Sequence, residues 1–342
     1  MITSRCVGKL NNKNVLEYQL KNSNGIVVNI LNLGGIISSI YTPDKNGKFE
    51  NIVLSYDDIE SYYKNPSYYG GIIGRTSGRI YNGEITIGNK KYFLNRNYGV
   101  NSGHGGNIGF NKRIWKVKSI SESNYDSLEL TLKSPHLEEG YPGEVEITVS
   151  YELNNNNELL FKINGTTTQD TLLNITNHSY FNLSGDYKRN ILNEELKIDS
   201  YEVLKIDKNN VVTGELYSVK DTPFDFRDFH KIGERINSND EQLILGGGYD
   251  HTFILNNNKT IVLKDEESGR MMEIETNQES VVVYSMNFPD KLKLKGNIIP
   301  EKRMGICFET QAPPIGYNEV FKEKSLLSKN KVYSKYTKYK FL

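Results

Sequence analysis

Between residues 144 and 153 this chain alternates with a period of two. Val145, Ile147, Val149, Tyr151 and Leu153 are apolar, and Glu144, Glu146, Thr148, Ser150 and Glu152 between them are polar. Successive side chains of a strand point to opposite faces of a sheet, so the pattern requires a strand with one buried and one wet face. It recurs at Leu128, Leu130 and Leu132 and at Leu159, Phe161 and Ile163. Antiparallel sheets commonly keep one such wet face, whereas parallel sheets are covered on both. Turn-forming clusters separate the strands, among them Asp44-Lys45-Asn46-Gly47, 154–157, 256–258 and Glu266-Glu267-Ser268-Gly269. The last predicts a hairpin joining 260–264 to 271–276, and Gly88-Asn89 predicts another across 84–93. Helical segments are few and short: 56–63, and more weakly 240–243. Many strands without a βαβ rhythm predict an all-β protein, a large antiparallel β-sandwich with few short helices. No linker or internal repeat divides the 342 residues, which an all-β chain can fold as a single domain over 1–342.

Lys+Arg and Asp+Glu both number 42, so the net charge is +0. That balance leaves no electrostatic footprint for nucleic acid or an anionic membrane, and a neutral polar ligand is the easier partner. Cys6 and Cys307 are the only cysteines and form neither a disulfide framework nor a metal spacing. His104, His178 and His251 lack the His-x-His or His-Glu-x-x-His patterns of metal sites, so no metal is expected. The N-terminal Met1-Ile2-Thr3-Ser4-Arg5 has no apolar h-region and no apolar run is long enough to span a bilayer, which predicts a cytoplasmic protein.

Several segments carry residues suited to chemistry. TNHSYFNL at 176–183 sets His178, whose imidazole can move a proton near neutral pH, among Asn, Ser and Tyr side chains able to fix a hydroxylated ligand. The glycine-rich stretch 70–80 is no phosphate cradle, because a hairpin rather than a helix follows it. It is either a set of tight turns with solvated arginines or a bent loop presenting one arginine to a ligand. Asn101-Ser102-Gly103-His104-Gly105-Gly106 is a surface turn or a place where backbone and ligand approach closely. Asp250, after Gly246-Gly247-Gly248-Tyr249, stands at the mouth of a strand, either as a turn residue or as an acceptor for hydroxyls. In the strand around 306–311, Ile306, Phe308 and Thr310 share one face, and Cys307, Glu309 and Gln311 the other. Two prolines, Pro313 and Pro314, follow. The apolar neighbours favour a Glu309 held in a pocket over a solvated one.

These segments, with GRTSGRI at 74–80, HGGNIGFNKRIW at 104–115, EGYPGEV at 139–145, TPFDF at 222–226, GYDH at 248–251 and ICFETQ at 306–311, stand in the order found in the aldose 1-epimerase (mutarotase) family, which the chain resembles from about Gly34 to Tyr317. The resemblance implies the galactose mutarotase-like supersandwich with a sugar in an open cleft. It implies interconversion of the α and β anomers of free aldoses, typically galactose or glucose, with no cofactor. By motif it implies His178 as general acid and Glu309 as general base. Arg79, His104 and Asp250 become substrate ligands, with Tyr180 lining the site. The chain departs from the pattern at Gly78, where many members have Asn, at Gly103, where Leu is common, and at Val282, where a sugar-contacting Gln is usual. These departures bear on sugar preference.

Anomerisation removes a proton from the C1 hydroxyl and delivers one to the ring oxygen. An ordinary Glu, near pKa ~4.3, is ionised and ready as base, and an ordinary His, near ~6.5, is only partly protonated. A carboxylate near His178 would help it serve as acid, and Asp250 is a candidate for that. The alternatives are a hexose-6-phosphate 1-epimerase, which needs a basic cluster, a non-catalytic carbohydrate-binding β-sandwich, and a glycoside hydrolase, which usually pairs two carboxyls. A monomer or homodimer acting on a monosaccharide is expected.

Overall fold

A computed structural model gives the structure and describes residues 2–121 and 124–342. Three sheets dominate. A five-stranded sheet runs in chain order from Thr3–Leu10 to Phe49–Asn51. A nine-stranded sheet contains, side by side, Tyr125–Ser134, Val145–Asn154, Glu158–Thr167 and Tyr333–Phe341. A six-stranded sheet lies in the order Tyr180–Phe181, Ile306–Gln311, Ser280–Tyr284, Asp250–Leu255, Ser200–Ile206 and Val212–Ser218. Pairing is antiparallel throughout the central strands.

The period-two segments are strands, and their apolar residues lie opposite one another across the pairs. Leu128 lies opposite Tyr151, Leu130 opposite Val149 and Leu132 opposite Ile147. Tyr151 faces Phe161 across the next pair, and their rings stack at 5.1 Å. Cross-strand apolar pairs of this kind stabilise a sheet face. One continuous core takes Val28, Ile30 and Ile40 from the five-stranded sheet, Leu128, Val149 and Phe161 from the nine-stranded one, and Phe253, Val281 and Phe308 from the six-stranded one. The sandwich therefore closes on apolar faces that the alternation marked.

Both predicted hairpins form, Thr260–Asp265 with Arg270–Thr276 and Glu84–Ile87 with Lys90–Phe93. The helix expected at 56–63 is Ile59–Lys64, because Asp58 caps it by accepting the Ser61 N–H at 2.7 Å. Tyr56, ahead of that cap, is instead buried and bridges to Leu294. Glu241–Gly246 is helical, with Asp240 as its cap. Among the described residues no helix is long and apolar enough to cross a membrane.

The stretch 70–80 is a bent loop tied down at two points. Ile72–Ile73 pairs with Thr176–Asn177, and Arg79–Ile80 pairs with Ser102–Gly103. It thereby draws the His178 and His104 segments together. Gly105 is required here: a Cβ at that position would lie 1.7 Å from the Gly74 carbonyl oxygen. Gly78, at φ +75, sits where a Cβ would meet the Pro314 ring at 2.6 Å, so the departure from Asn at this site is matched by the proline packed against it. Neither arginine of the loop is solvated. Arg75 is buried and donates to the carbonyls of Ser134, Pro135 and Pro142 at 2.7–2.9 Å, while Arg79 turns into a cavity.

Candidate active site

One face of the six-stranded sheet forms the floor of a cavity of about 230 Å³. Its register sets the floor in rows. Asp250 lies opposite Tyr284, which lies opposite Cys307, which lies opposite Tyr180. In the next row Thr252 lies opposite Val282, and Val282 opposite Glu309. The residues between them, Phe253, Val281, Val283, Ile306 and Phe308, point into the core. The strict two-residue period is thus what places Glu309 and Asp250 on one surface. His251 is turned the other way, packed against Phe224 at 4.6 Å, and burial pushes its imidazole down to about 3. It belongs to the core and not to the site.

Loops supply the walls. His178 follows the short strand Thr176–Asn177, with its backbone N–H bonded to Gly71 and its carbonyl to Gly70. Arg79 and His104 come from the paired segments described above, and Asn210 from the turn between Ser200–Ile206 and Val212–Ser218. His104 holds φ +50, a left-handed conformation that costs a side-chain-bearing residue about 1 kcal/mol or more. Its Nδ1 is buried without a partner, as is Oε2 of Glu309. Unpaired polar atoms at a buried position are expensive unless a ligand completes them.

At one end of the cavity His178 Nε2 lies 3.5 Å from Glu309 Oε1, with both side chains about 95% buried (5% and 4% exposed). The imidazole packs on Tyr68, stacked at 5.7 Å, on Tyr180 at 5.2 Å, and edge-on to His104 at 5.6 Å. Cys307 Sγ stands 3.5 Å from its Nδ1. At another wall Asp250 is engaged by Arg79 Nη2 at 3.6 Å and by the Asn210 side-chain amide at 3.1 Å. Arg79 also donates to the Asn210 carbonyl at 3.2 Å and lies over the Tyr98 ring at 5.1 Å.

The electrostatics correct two expectations. Burial, with repulsion from Asp250, raises Glu309 to about 8 against the pull of Arg79. Burial, with the Arg79 charge, lowers His178 to about 4 against the support of its own backbone carbonyl. At neutral pH the pair is therefore a carboxylic acid beside a neutral imidazole, and not a free carboxylate beside a half-protonated ring. Desolvation disfavours the charged form of both groups and their shared contact does not outweigh it. Nor does Asp250 support His178: its carboxylate is taken by Arg79 and Asn210, and its charge acts on Glu309. Asp250 itself is raised by burial, while Arg79 is raised because Asp250, Tyr98 and Glu309 outweigh its desolvation. His104 is held well below its ordinary value by burial and by His178.

All six residues singled out from the sequence, His178, Glu309, Arg79, His104, Asp250 and Tyr180, line this cavity. Sequence reasoning missed Asn210, Tyr68 and Tyr98. Asn210 had a signal, the turn Asp207-Lys208-Asn209-Asn210; the tyrosines, among 23 in the chain, had none. His104, His178 and Glu309 also bring ligand atoms within 4.8 Å of one another, a convergence that their spacing in the chain conceals. A zinc-like ion sits about 2.0–2.2 Å from nitrogen and oxygen ligands, so the three would have to draw together to share one.

A β-sandwich whose cavity holds a buried acid–base pair opposite a cluster of hydrogen-bonding groups defines an enzyme that moves protons on a small hydroxylated molecule. The family model for aldose 1-epimerase matches residues 17–340. The galactose mutarotase of Bos taurus is 35% identical over 332 residues, covering 96% of this chain and 94% of that protein. The aldose 1-epimerase of Streptococcus thermophilus is 32% identical over 326 residues, covering 93% and 91%. The crystal structure of galactose 1-epimerase from Lactobacillus acidophilus NCFM superposes with a TM-score of 0.91 at 29% identity, over 100% of this chain and 98% of the other. The chain belongs to the aldose 1-epimerase family.

Proposed function

We propose that this protein is a cofactor-independent aldose 1-epimerase that interconverts the α and β anomers of a free aldohexose such as galactose or glucose, with His178 and Glu309 moving the protons. The contact of His178 Nε2 with Glu309 Oε1 inside the cavity carries this reading. Ring opening takes the O1 proton to Glu309 as O5 receives one from His178, and the C1–O5 bond breaks. Rotation about C1–C2 exposes the other aldehyde face, and the two transfers reverse as the ring closes. Carboxylate with imidazolium, and carboxylic acid with imidazole, contain the same number of protons. Opening converts the first form to the second, and closure restores it. Burial favours the second form. Sugar hydroxyls entering the cavity provide hydrogen bonds that Glu309 Oε2 lacks, which lowers the cost of its ionised form. Each positioned group typically contributes about 10²–10⁴ in rate.

Arg79, Asp250, Asn210 and His104 hold the hydroxyls, and Tyr180 and Tyr68 wall the ring. A hexose 6-phosphate fits less well, because Arg79 is the only Lys or Arg lining the cavity among the described residues and Asp250 already pairs with it. In the same reading the chain acts as one domain over 1–342, as a cytoplasmic monomer or homodimer, on a neutral monosaccharide. The core shared by the three sheets supports the single domain.

Polarimetry of fresh α-D-galactose, α-D-glucose, xylose and glucose 6-phosphate tests the function. Acceleration of the free sugars is expected. A protein that accelerates none of them, or only the phosphate, would overturn the reading.

A further inference from the structure

The imidazole of His178 is held at both nitrogens, and only one of its partners belongs to the acid–base pair. Nε2 faces Glu309, while Nδ1 faces the sulfur of Cys307 at 3.5 Å, and the ring also reaches the backbone carbonyl of His178 itself, a contact that favours its protonated form. We propose that Cys307 is a positioning residue whose sulfur accepts the Nδ1–H of His178 and so reserves Nε2 for proton transfer to the sugar.

The argument rests on the mutarotase reading and on proton bookkeeping. In the carboxylate–imidazolium form both ring nitrogens carry hydrogen. When the Nε2 proton goes to O5 and the O1 proton goes to Glu309, the hydrogen on Nδ1 stays where it was. Its neighbour must therefore act as an acceptor throughout the cycle. Sites of this kind commonly place a carboxylate or a backbone carbonyl there. A carboxylate would attract the imidazolium and hold its proton. A thiol sulfur is a weak, neutral acceptor. It fixes the ring without that pull and leaves the imidazolium a strong acid toward a weakly basic ring oxygen. Cys307 is suited to this because it is fully buried and held by pairing to Tyr180 on one side and Tyr284 on the other. The other titratable or charged groups facing the ring are Glu309 and Tyr180 from the sheet and Tyr68, His104 and Arg79 from the loops.

Long-range proton–nitrogen correlation spectra of the full chain labelled with 15N-histidine decide this, with His178 assigned by its loss in His178→Asn. At pH 7 the wild-type ring is expected as the neutral Nδ1–H tautomer. In Cys307→Ala the tautomer should shift toward Nε2–H, and kcat should fall about tenfold, the equivalent of one hydrogen bond, at unchanged KM. Cys307→Ser should keep the tautomer and near-normal kcat. Its oxygen is the stronger acceptor, so the acid limb of the pH profile should move to higher pH. An Nε2–H tautomer in the wild type overturns the proposal, as does a Cys307→Ala protein with unchanged tautomer and kcat. Should Cys307→Ala fail to fold, the wild-type and Cys307→Ser spectra still decide. Failure of the wild type to mutarotate any aldose would sink the functional reading instead, and the tautomer would still report on Cys307.

Discussion

Glu50 and Glu309 are buried almost equally, at 1% and 3% exposure, yet they sit in opposite surroundings. Glu50 is met by Lys48 at 2.6 Å, Lys188 at 2.5 Å and Arg270 at 3.0 Å. Burial raises its carboxyl, and these three cations overrule that and bring it to about 2. Glu309 meets a neutral imidazole and shares its cavity with another carboxylate, and it is raised to about 8. Burial alone therefore says nothing about role. A carboxyl neutralised on all sides holds the five-stranded sheet to the segments around Lys188 and Arg270. A carboxyl left without enough compensation is poised to exchange a proton near neutral pH.

Substitution separates the two most sharply. Glu309→Gln should lower kcat about 10³-fold, within the 10²–10⁴ expected of a positioned acid or base, and His178→Asn should do the same by polarimetry on α-D-galactose. Glu309→Gln should not weaken the fold. Glu309's folded pKa lies above its ordinary 4.5, so the unfolded chain loses that proton first and stability falls as pH rises from about 4.5 to about 8. The amide removes that loss, and denaturant unfolding at pH 8 should show the variant more stable, by an order-of-magnitude 2–4 kcal/mol. Wild-type rates in either variant would break the assignment.

Glu50→Gln should behave in the reverse manner. It leaves Arg270 buried beside no charge, which typically costs about 3 kcal/mol or more, while kcat per folded molecule stays near wild type. The pH dependence differs in sign as well. Glu50's folded pKa is depressed, so its contribution is complete above the ordinary 4.5 and disappears as pH falls through about 2. Urea melts of wild type and variant across pH 2–8 should converge at the acid end. If they diverge there, the cation cluster is not what holds Glu50.

The proposed acid–base pair should also impose a bell-shaped kcat/KM against pH. Below about 4 His178 and Glu309 are both protonated and the base is gone; above about 8 both are deprotonated and the acid is gone. The limbs belong to the pair and not to either residue. A profile governed by an ordinary Glu near ~4.3 and His near ~6.5 would show that solvent reaches the pair.

Much of this was legible in the chain because sheets translate sequence into space with a fixed rule. The two-residue period set Phe308 and Glu309 on opposite faces of their strand, and the structure puts Phe308 in the core and Glu309 in the cavity. The helix at 240–243 was placed from its sequence, whereas the one expected from 56 begins only after Asp58, whose side chain caps it. The walls of the site were not legible in that way. Arg79 and Asn210 are 131 residues apart, and Cys307 and His178 are 129 apart. No periodicity connects positions so distant. The same holds for the protonation order of the pair, which an ordinary Glu and His would reverse. It follows from desolvation and from the neighbouring Asp250 and Arg79, and those are properties of the closed cavity.

The smallest effect tests that last point most directly. Asp250 contributes to the rise of Glu309 by repulsion, while Arg79 opposes it. Asp250→Asn removes one negative charge from the cavity. It also releases Arg79 from its 3.6 Å contact, so the guanidinium acts more fully on Glu309. Both changes favour the Glu309 carboxylate. The alkaline limb of kcat/KM should therefore move to lower pH, by about half a unit at the screening typical of protein sites. The acid limb should move less and only through the freed Arg79, because Asp250 itself is not among the groups that set His178. If Asp250 holds a sugar hydroxyl as proposed, KM rises at the same time, but a KM effect that is constant with pH leaves the position of the limb unchanged. An alkaline limb that stays in place would mean that burial alone sets Glu309, and the contrast with Glu50 would then reduce to the presence or absence of cations.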